Sequence, residues 1–157
     1  MKTASLNESK QELLALPPKK VLEICLRLAK FKKENKELLS FLLFDAGNEH
    51  GYVESIKHEI DEHFTELPRS NWYTTKKSLR KILRLITKYS KHVSAKESEV
   101  DMLIHFCTKM KVLEDTYPYN QAFSNMYLQQ LKKLNTLVEL IHEDIRYDYQ
   151  RQIEQLQ

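Results

Sequence analysis

Apolar residues recur along this chain at spacings of three and four, the period of a helix with one buried face. Six helices follow from that pattern. A short lead-in over 10–16 ends at the Pro17–Pro18 pair. Pro18 suits the first position of a helix over 18–33, where its missing N–H leaves nothing unpaired. That helix carries Val21, Leu22, Ile24, Cys25, Leu26, Leu28, Ala29 and Phe31, and only Glu23, Arg27 and Lys30 form a polar stripe. A helix so apolar is expected to lie mostly buried. Asn35 is a reasonable cap for a helix over 36–46, with Gly47 as its stop. Val53, Ile56, Ile60, Phe64 and Leu67 mark the buried face of a helix over 49–67, closed by Pro68. Ser70 or Thr74 opens the next, over 75–92. Ser94 and Glu97 make a capping-box pattern before a helix over 95–113.

After Pro118, Tyr127, Leu131, Leu134, Val138, Ile141 and Ile145 trace a heptad-like seam. One rod from 119 to the mid-150s is therefore expected, roughly 50 Å long. Its far end, with Tyr149, Ile153 and Leu156, either lies along the domain or projects to meet a partner. The second case allows a homodimer through this C-terminal helix.

The expected fold is all-α: one domain over 1–157 built from six helices. Residues 19–28 align without gaps on 76–85, with six of ten positions identical. This points to two pseudo-repeated three-helix units, 17–68 and 74–157, stacked in a short α-α superhelix. A plain six-helix bundle is the alternative.

Composition sharpens the picture. A length of 157 residues fits one domain, and 2 Gly with 4 Pro leave little material for hairpin turns or phosphate-cradling loops. All-β and Rossmann-type folds are not expected on that ground. Residues 1–10 lack the apolar core of a signal peptide. The longest fully apolar run, 41–44, falls far short of the ~20 residues a membrane span needs. The expected compartment is the cytoplasm, with no membrane partner. Cys25 and Cys107 then read as reduced, buried small hydrophobes.

Residues 16–44, LPPKKVLEICLRLAKFKKENKELLSFLLF, resemble the opening of an uncharacterised family of small all-helical bacterial proteins. The Pro-Pro-Lys start and the Lys-Glu-Asn-Lys-Glu-Leu-Leu stretch carry the likeness. It implies an all-α bacterial protein and no particular chemistry.

Charge is partitioned along the chain, although the net value is only +3. From 37 to 66 there are eight acidic residues and one basic, Lys57; from 67 to 96 there are nine basic and no acidic residues. At about 100° per residue, Lys76, Lys77, Arg80, Lys81, Arg84, Lys88 and Lys91 fall within an arc of about 140°. Leu79, Ile82, Leu83, Leu85, Ile86, Tyr89 and Val93 fill the opposite side. Like charges at i,i+4 repel by roughly 0.2–0.5 kcal/mol per pair, so something anionic is expected to offset them. Three sources exist. The acids of the preceding helix, Glu54, Glu59, Asp61 and Glu62, could face these cations across the Pro68 turn. A phosphate backbone could track them, with Trp72 and Tyr73 stacking a base. An acidic protein surface is the third.

Other constellations are weaker. His50, Glu54, His58 and Glu62 share one helix face and read as an exposed ladder of helix-stabilising pairs rather than a metal site. His58 and His63, at i+5, point about 140° apart and cannot both bind one zinc. Glu139 and His142 match half of a di-iron pattern whose second half is absent from the sequence. His105 lies two residues from Cys107, on another helix face. No nucleophile elbow or phosphate-binding loop occurs. Phe31, Phe41, Phe44, Phe64, Phe106 and Phe123 are core by default, while Tyr117, Tyr119, Tyr147 and Tyr149 gather near the ends of the last helix as interface candidates. The reading is a non-enzymatic interaction module without a cofactor, whose cationic helix face meets an acidic protein partner. The alternatives are nucleic-acid binding through the same face and, further off, a metal-dependent enzyme.

Overall fold

The computed structural model describes residues 3–93 and 95–157. Among them the chain is all-α with no strand, in eight α-helices rather than six. They are α1 (Leu6–Ala15), α2 (Pro18–Phe31), α3 (Lys33–Ser40), α4 (Glu49–Thr65), α5 (Trp72–Ser90), α6 (Lys96–Val112), α7 (Gln121–Val138) and α8 (Glu143–Glu154). No described helix is long and apolar enough to cross a membrane. The chain divides into two compact units, Met1–Phe44 and Asp45–Gln157. The division falls inside the first of the two expected three-helix units, 17–68.

In the first unit the lead-in is a true helix. Ser5 caps α1, and the Glu8 carboxylate accepts from the Ser5 N–H in return. Pro18 stands at the first turn of α2, as its lack of an N–H favours. Asn35 does not cap the next helix. It lies inside α3, and its side-chain amide donates to the Leu28 carbonyl at 2.8 Å, tying α3 back onto α2. A single π-helical turn, Phe41–Asp45, follows α3.

The expected burial of α2 is overturned. Leu22, Ile24, Leu26, Leu28 and Phe31 are all exposed, Phe31 by 77%, and so is Cys25. The only helix of comparable contact with α2 is the eight-residue α3, too short to cover an apolar arc this wide. Phe44 is likewise exposed rather than core.

The second unit holds the core. Its hub is α6, which buries Val100, Met102, Leu103, Phe106, Cys107 and Met110 and packs on α4, α5 and α7. Its buried side chains spread over a wide arc, which lets one helix meet three neighbours while its charged residues stay outside. Around it, α4 turns Val53, Ile56, Ile60 and Phe64 inward, and α5 turns Leu79, Ile82 and Ile86. These are the faces expected from spacing. Cys107 is fully buried as expected, and burial pushes its thiol up to about 12. The expected capping residue Ser94 lies outside the described residues, and Ala95 stands at the N-cap of α6 without a side-chain cap bond.

The expected single C-terminal rod is two helices. α7 ends at Val138, and α8 starts after His142, whose Nδ1 accepts from the Asp144 N–H at 3.3 Å. Arg146 donates to the carbonyls of Glu139 and Ile141, both at 3.0 Å, holding the bend. α8 then folds back along α7. The Tyr127 hydroxyl donates to the Leu156 carbonyl at 2.7 Å, and Ile153 and Leu156 are buried. The break answers a packing demand: a straight rod would carry those two side chains away from the core they fill.

Candidate docking surface

α5 starts earlier than its spacing suggests. Asn71, not Ser70 or Thr74, is the cap, its carboxamide oxygen accepting from the Thr74 N–H at 3.0 Å. Thr75 anchors the first turn. Its hydroxyl, with no solvent exposure, bonds the Pro68 and Asn71 carbonyls and meets the Tyr117 hydroxyl at 2.6 Å. Trp72 is thereby drawn into the core, edge-on to Tyr117 at 5.4 Å and to Phe123 at 5.6 Å. Its ring is committed to those neighbours. Tyr73 alone of the two candidate stacking residues stands out, 80% exposed.

The cations of α5 lie on the side away from α6. Lys77, Arg80, Lys81, Arg84 and Lys91 are exposed and Lys76 is half-buried. Lys88 is half-buried, its ammonium 4.3 Å from the centre of the Tyr89 ring. Among the described residues no ion pair within 4 Å reaches Lys76, Lys77, Arg80, Lys81, Arg84 or Lys91. Of the four α4 acids considered, three have partners elsewhere, and Glu59 has no ion pair among the described residues. Glu54 pairs with Lys57 at 2.7 Å and Glu62 with His58 at 3.5 Å. Asp61 takes His105 at 2.6 Å and Lys109 at 3.0 Å, both from α6. Burial pushes the Asp61 carboxyl up, but the His105 and Lys109 hydrogen bonds outweigh it and hold the group below its ordinary range. The geometry accounts for this. α4 and α5 both lay their apolar faces on α6, so the charged side of one does not meet the charged side of the other.

One wall of the surface was not visible as a motif. α5 and α7 border a cleft of about 290 Å³. Lys76 and Arg80 stand on one side, Asn125, Gln129 and Gln130 on the other, and Leu83, Ala122 and Met126 line it with apolar surface. A shallower continuation along α5 is lined by Arg80, Leu83, Arg84 and Thr87. Neither α5 nor α7 contains a single Asp or Glu. The signal that could have found the second wall is the spacing of Asn125 and Gln129, one turn apart on a helix without carboxylates. Such a cleft offers guanidinium and ammonium donors, amide donors and acceptors, and an apolar strip.

The remaining candidates separate. Among the described residues no group of three or more His, Cys, Asp or Glu side chains is gathered as a metal site would need. His142 caps α8, across the helix break from Glu139. Tyr117 is used internally by Thr75, while Tyr119, in the left-handed region at φ 61°, and Tyr147 are exposed. Tyr149 is half-buried, and burial, with the Asp101 carboxyl adding to it, raises its hydroxyl's pKa well above the ordinary value. Comparison with protein-family models, with characterised proteins and with solved structures found no match to this chain.

Proposed function

We propose that this protein is a non-enzymatic interaction module whose α5–α7 cleft takes an acidic, amphipathic segment of a protein partner. The observation that carries the reading is the set of five α5 cations, with Lys91 just past the helix end, that have no ion pair among the described residues, beside a cleft whose two helices hold no carboxylate. A carboxylate entering there meets Arg80 and Arg84, whose guanidinium groups grip carboxylates through paired hydrogen bonds. Its apolar neighbours meet Leu83 and Met126. Gln129 and Gln130 offer the donors and acceptors that a backbone or an amide would use. A single-stranded nucleic acid would use stacking rings along the cations; Trp72 is packed into the core, which leaves Tyr73 as the one exposed ring of the two.

The test uses three probes at one ionic strength: a labelled peptide alternating Glu and Leu at helical spacing, random single-stranded RNA, and duplex DNA. Fluorescence anisotropy should show the peptide bound more tightly than either nucleic acid. The double variant Arg80→Glu, Arg84→Glu should weaken it by about 30-fold or more, as loss of a central charged anchor does. Far-ultraviolet circular dichroism should stay unchanged, since both residues are exposed. Tighter binding of RNA or DNA would make the partner a nucleic acid. Unaltered peptide binding by the variant would remove α5 from the interface.

A further inference from the structure

The negative charge that α5 lacks is present on the same chain, on a surface that α5 does not reach. Glu59, Glu62 and Glu66 follow one another at i, i+3 and i+7 along the end of α4 and, with His63 and Thr65, border one shallow depression. At about 100° per residue the three fall within an arc of about 60°. Glu62 and Glu66 are exposed and Glu59 is half-buried. Among the described residues no ion pair within 4 Å reaches Glu59 or Glu66, and Glu62 has the His58 imidazole at 3.5 Å. Glu62 and Glu66 also stand at the C-terminal end of α4, where the helix dipole disfavours a carboxylate. Lys77, Arg80 and Arg84 repeat the same i, i+3, i+7 spacing on α5, all three exposed, and Arg80 and Arg84 line the continuation of the cleft.

We infer that the acidic partner of α5 is a second copy of this chain, whose α4 carboxylates Glu59, Glu62 and Glu66 meet Lys77, Arg80 and Arg84. The inference rests on the reading of α5 as a docking face and names its occupant. Charge and spacing select a second copy together. Each stripe is three like charges over seven residues, about 10 Å at 1.5 Å each, so when one is laid along the other each carboxylate has a cation within reach. Like charges one turn apart repel within each stripe, and pairing relieves both at once. A single chain cannot do this, because α4 and α5 both lay their apolar faces on α6. A contact between unlike faces leaves one free stripe of each kind on a pair, so further copies add to it. Exposed ion pairs are individually weak and screened by salt, so the association belongs to high protein concentration and low ionic strength.

Light scattering on the full chain tests it. At about 10 mM salt, where charges act over about 30 Å, the average mass should rise with concentration above the 18.7 kDa of one chain, and at about 1 M, where they act over about 3 Å, it should return to that value. Arg80→Glu with Arg84→Glu, and separately Glu62→Lys with Glu66→Lys, should each weaken association by about 10-fold or more, with far-ultraviolet circular dichroism unchanged. An equimolar mixture of the two variants should restore a species of twice the chain mass, because one keeps the α4 carboxylates and the other the α5 cations. The same change of charge on α8, Asp148→Lys with Glu154→Lys, should leave association as it is. Three results would overturn the inference: a single chain at every concentration in low salt, a mixture that stays monomeric, or an α8 variant that dissociates as fully as the α4 variant, which would make overall charge the cause. In the first case the peptide of Glu and Leu separates this inference from the reading beneath it. Peptide binding that depends on Arg80 and Arg84 leaves α5 a docking face for another acidic protein; no peptide binding removes both.

Discussion

Replacing Arg80 by Gln should make the protein more stable, and the sign of that change is diagnostic. Arg80 has Lys76 and Arg84 one turn away on either side and Lys77 three residues before it. Each such pair of like charges costs about 0.2–0.5 kcal/mol, so three pairs give a gain of about 0.6–1.5 kcal/mol on neutralisation. Gln and Arg have nearly equal helix propensity, which leaves the charge as the main difference. A gain near 1 kcal/mol corresponds to a rise of a few degrees in midpoint. Thermal unfolding by circular dichroism measures it. The gain should be largest near 10 mM salt, where the screening length is about 30 Å, and vanish near 1 M, where it is about 3 Å. A loss of stability of similar size at low salt would mean that Arg80 already has an anionic partner in its own chain. The cleft would then be a satisfied surface, and the reading of α5 as a docking face would fall with it.

Two further outcomes follow from buried polar groups in the second unit. Asp101 is half-buried on α6, where burial raises its carboxyl above the ordinary range against the opposing pull of Lys57 and the Tyr149 hydroxyl. Its folded state holds the proton more tightly than its unfolded state, so its contribution is complete at low pH and is lost as pH rises through the folded value. Asp101→Asn should therefore gain stability relative to wild type as pH rises from acid to neutral, in urea unfolding at a series of pH values; parallel profiles would show that the carboxyl is not so displaced. Tyr127→Phe should lower stability by about 1 kcal/mol, because its hydroxyl joins α7 to the Leu156 carbonyl. No change in the urea midpoint would mean that α8 is not held to α7 by this bond.

What the amino-acid pattern disclosed, and what it withheld, divides along a physical line. Spacing reports which face of a helix favours burial, and so the inward faces of α4 and α5 were legible at Ile56, Ile60, Leu79 and Ile82. Spacing does not report whether the chain supplies the cover. α2 has the stronger apolar pattern, yet Leu28 and Phe31 meet solvent, because only the short α3 stands against them. The bend between α7 and α8 left no mark either: residues 139–142 contain no Gly or Pro, and the chain turns because Ile153 and Leu156 find burial only by doubling back. The basic stretch of α5 was legible as a face, but its opposing wall was not, since Asn125, Gln129 and Gln130 carry no charge to draw the eye. In both units, then, a surface has a need that the described chain does not meet, and the two needs differ in kind. The cleft of the second unit asks for negative charge and weakens as salt rises. The groove of the first, between α2 and α3, asks for apolar area, and strongly excluded salts such as sulfate strengthen it. Binding at the cleft and cover of the groove should therefore answer oppositely to added sulfate.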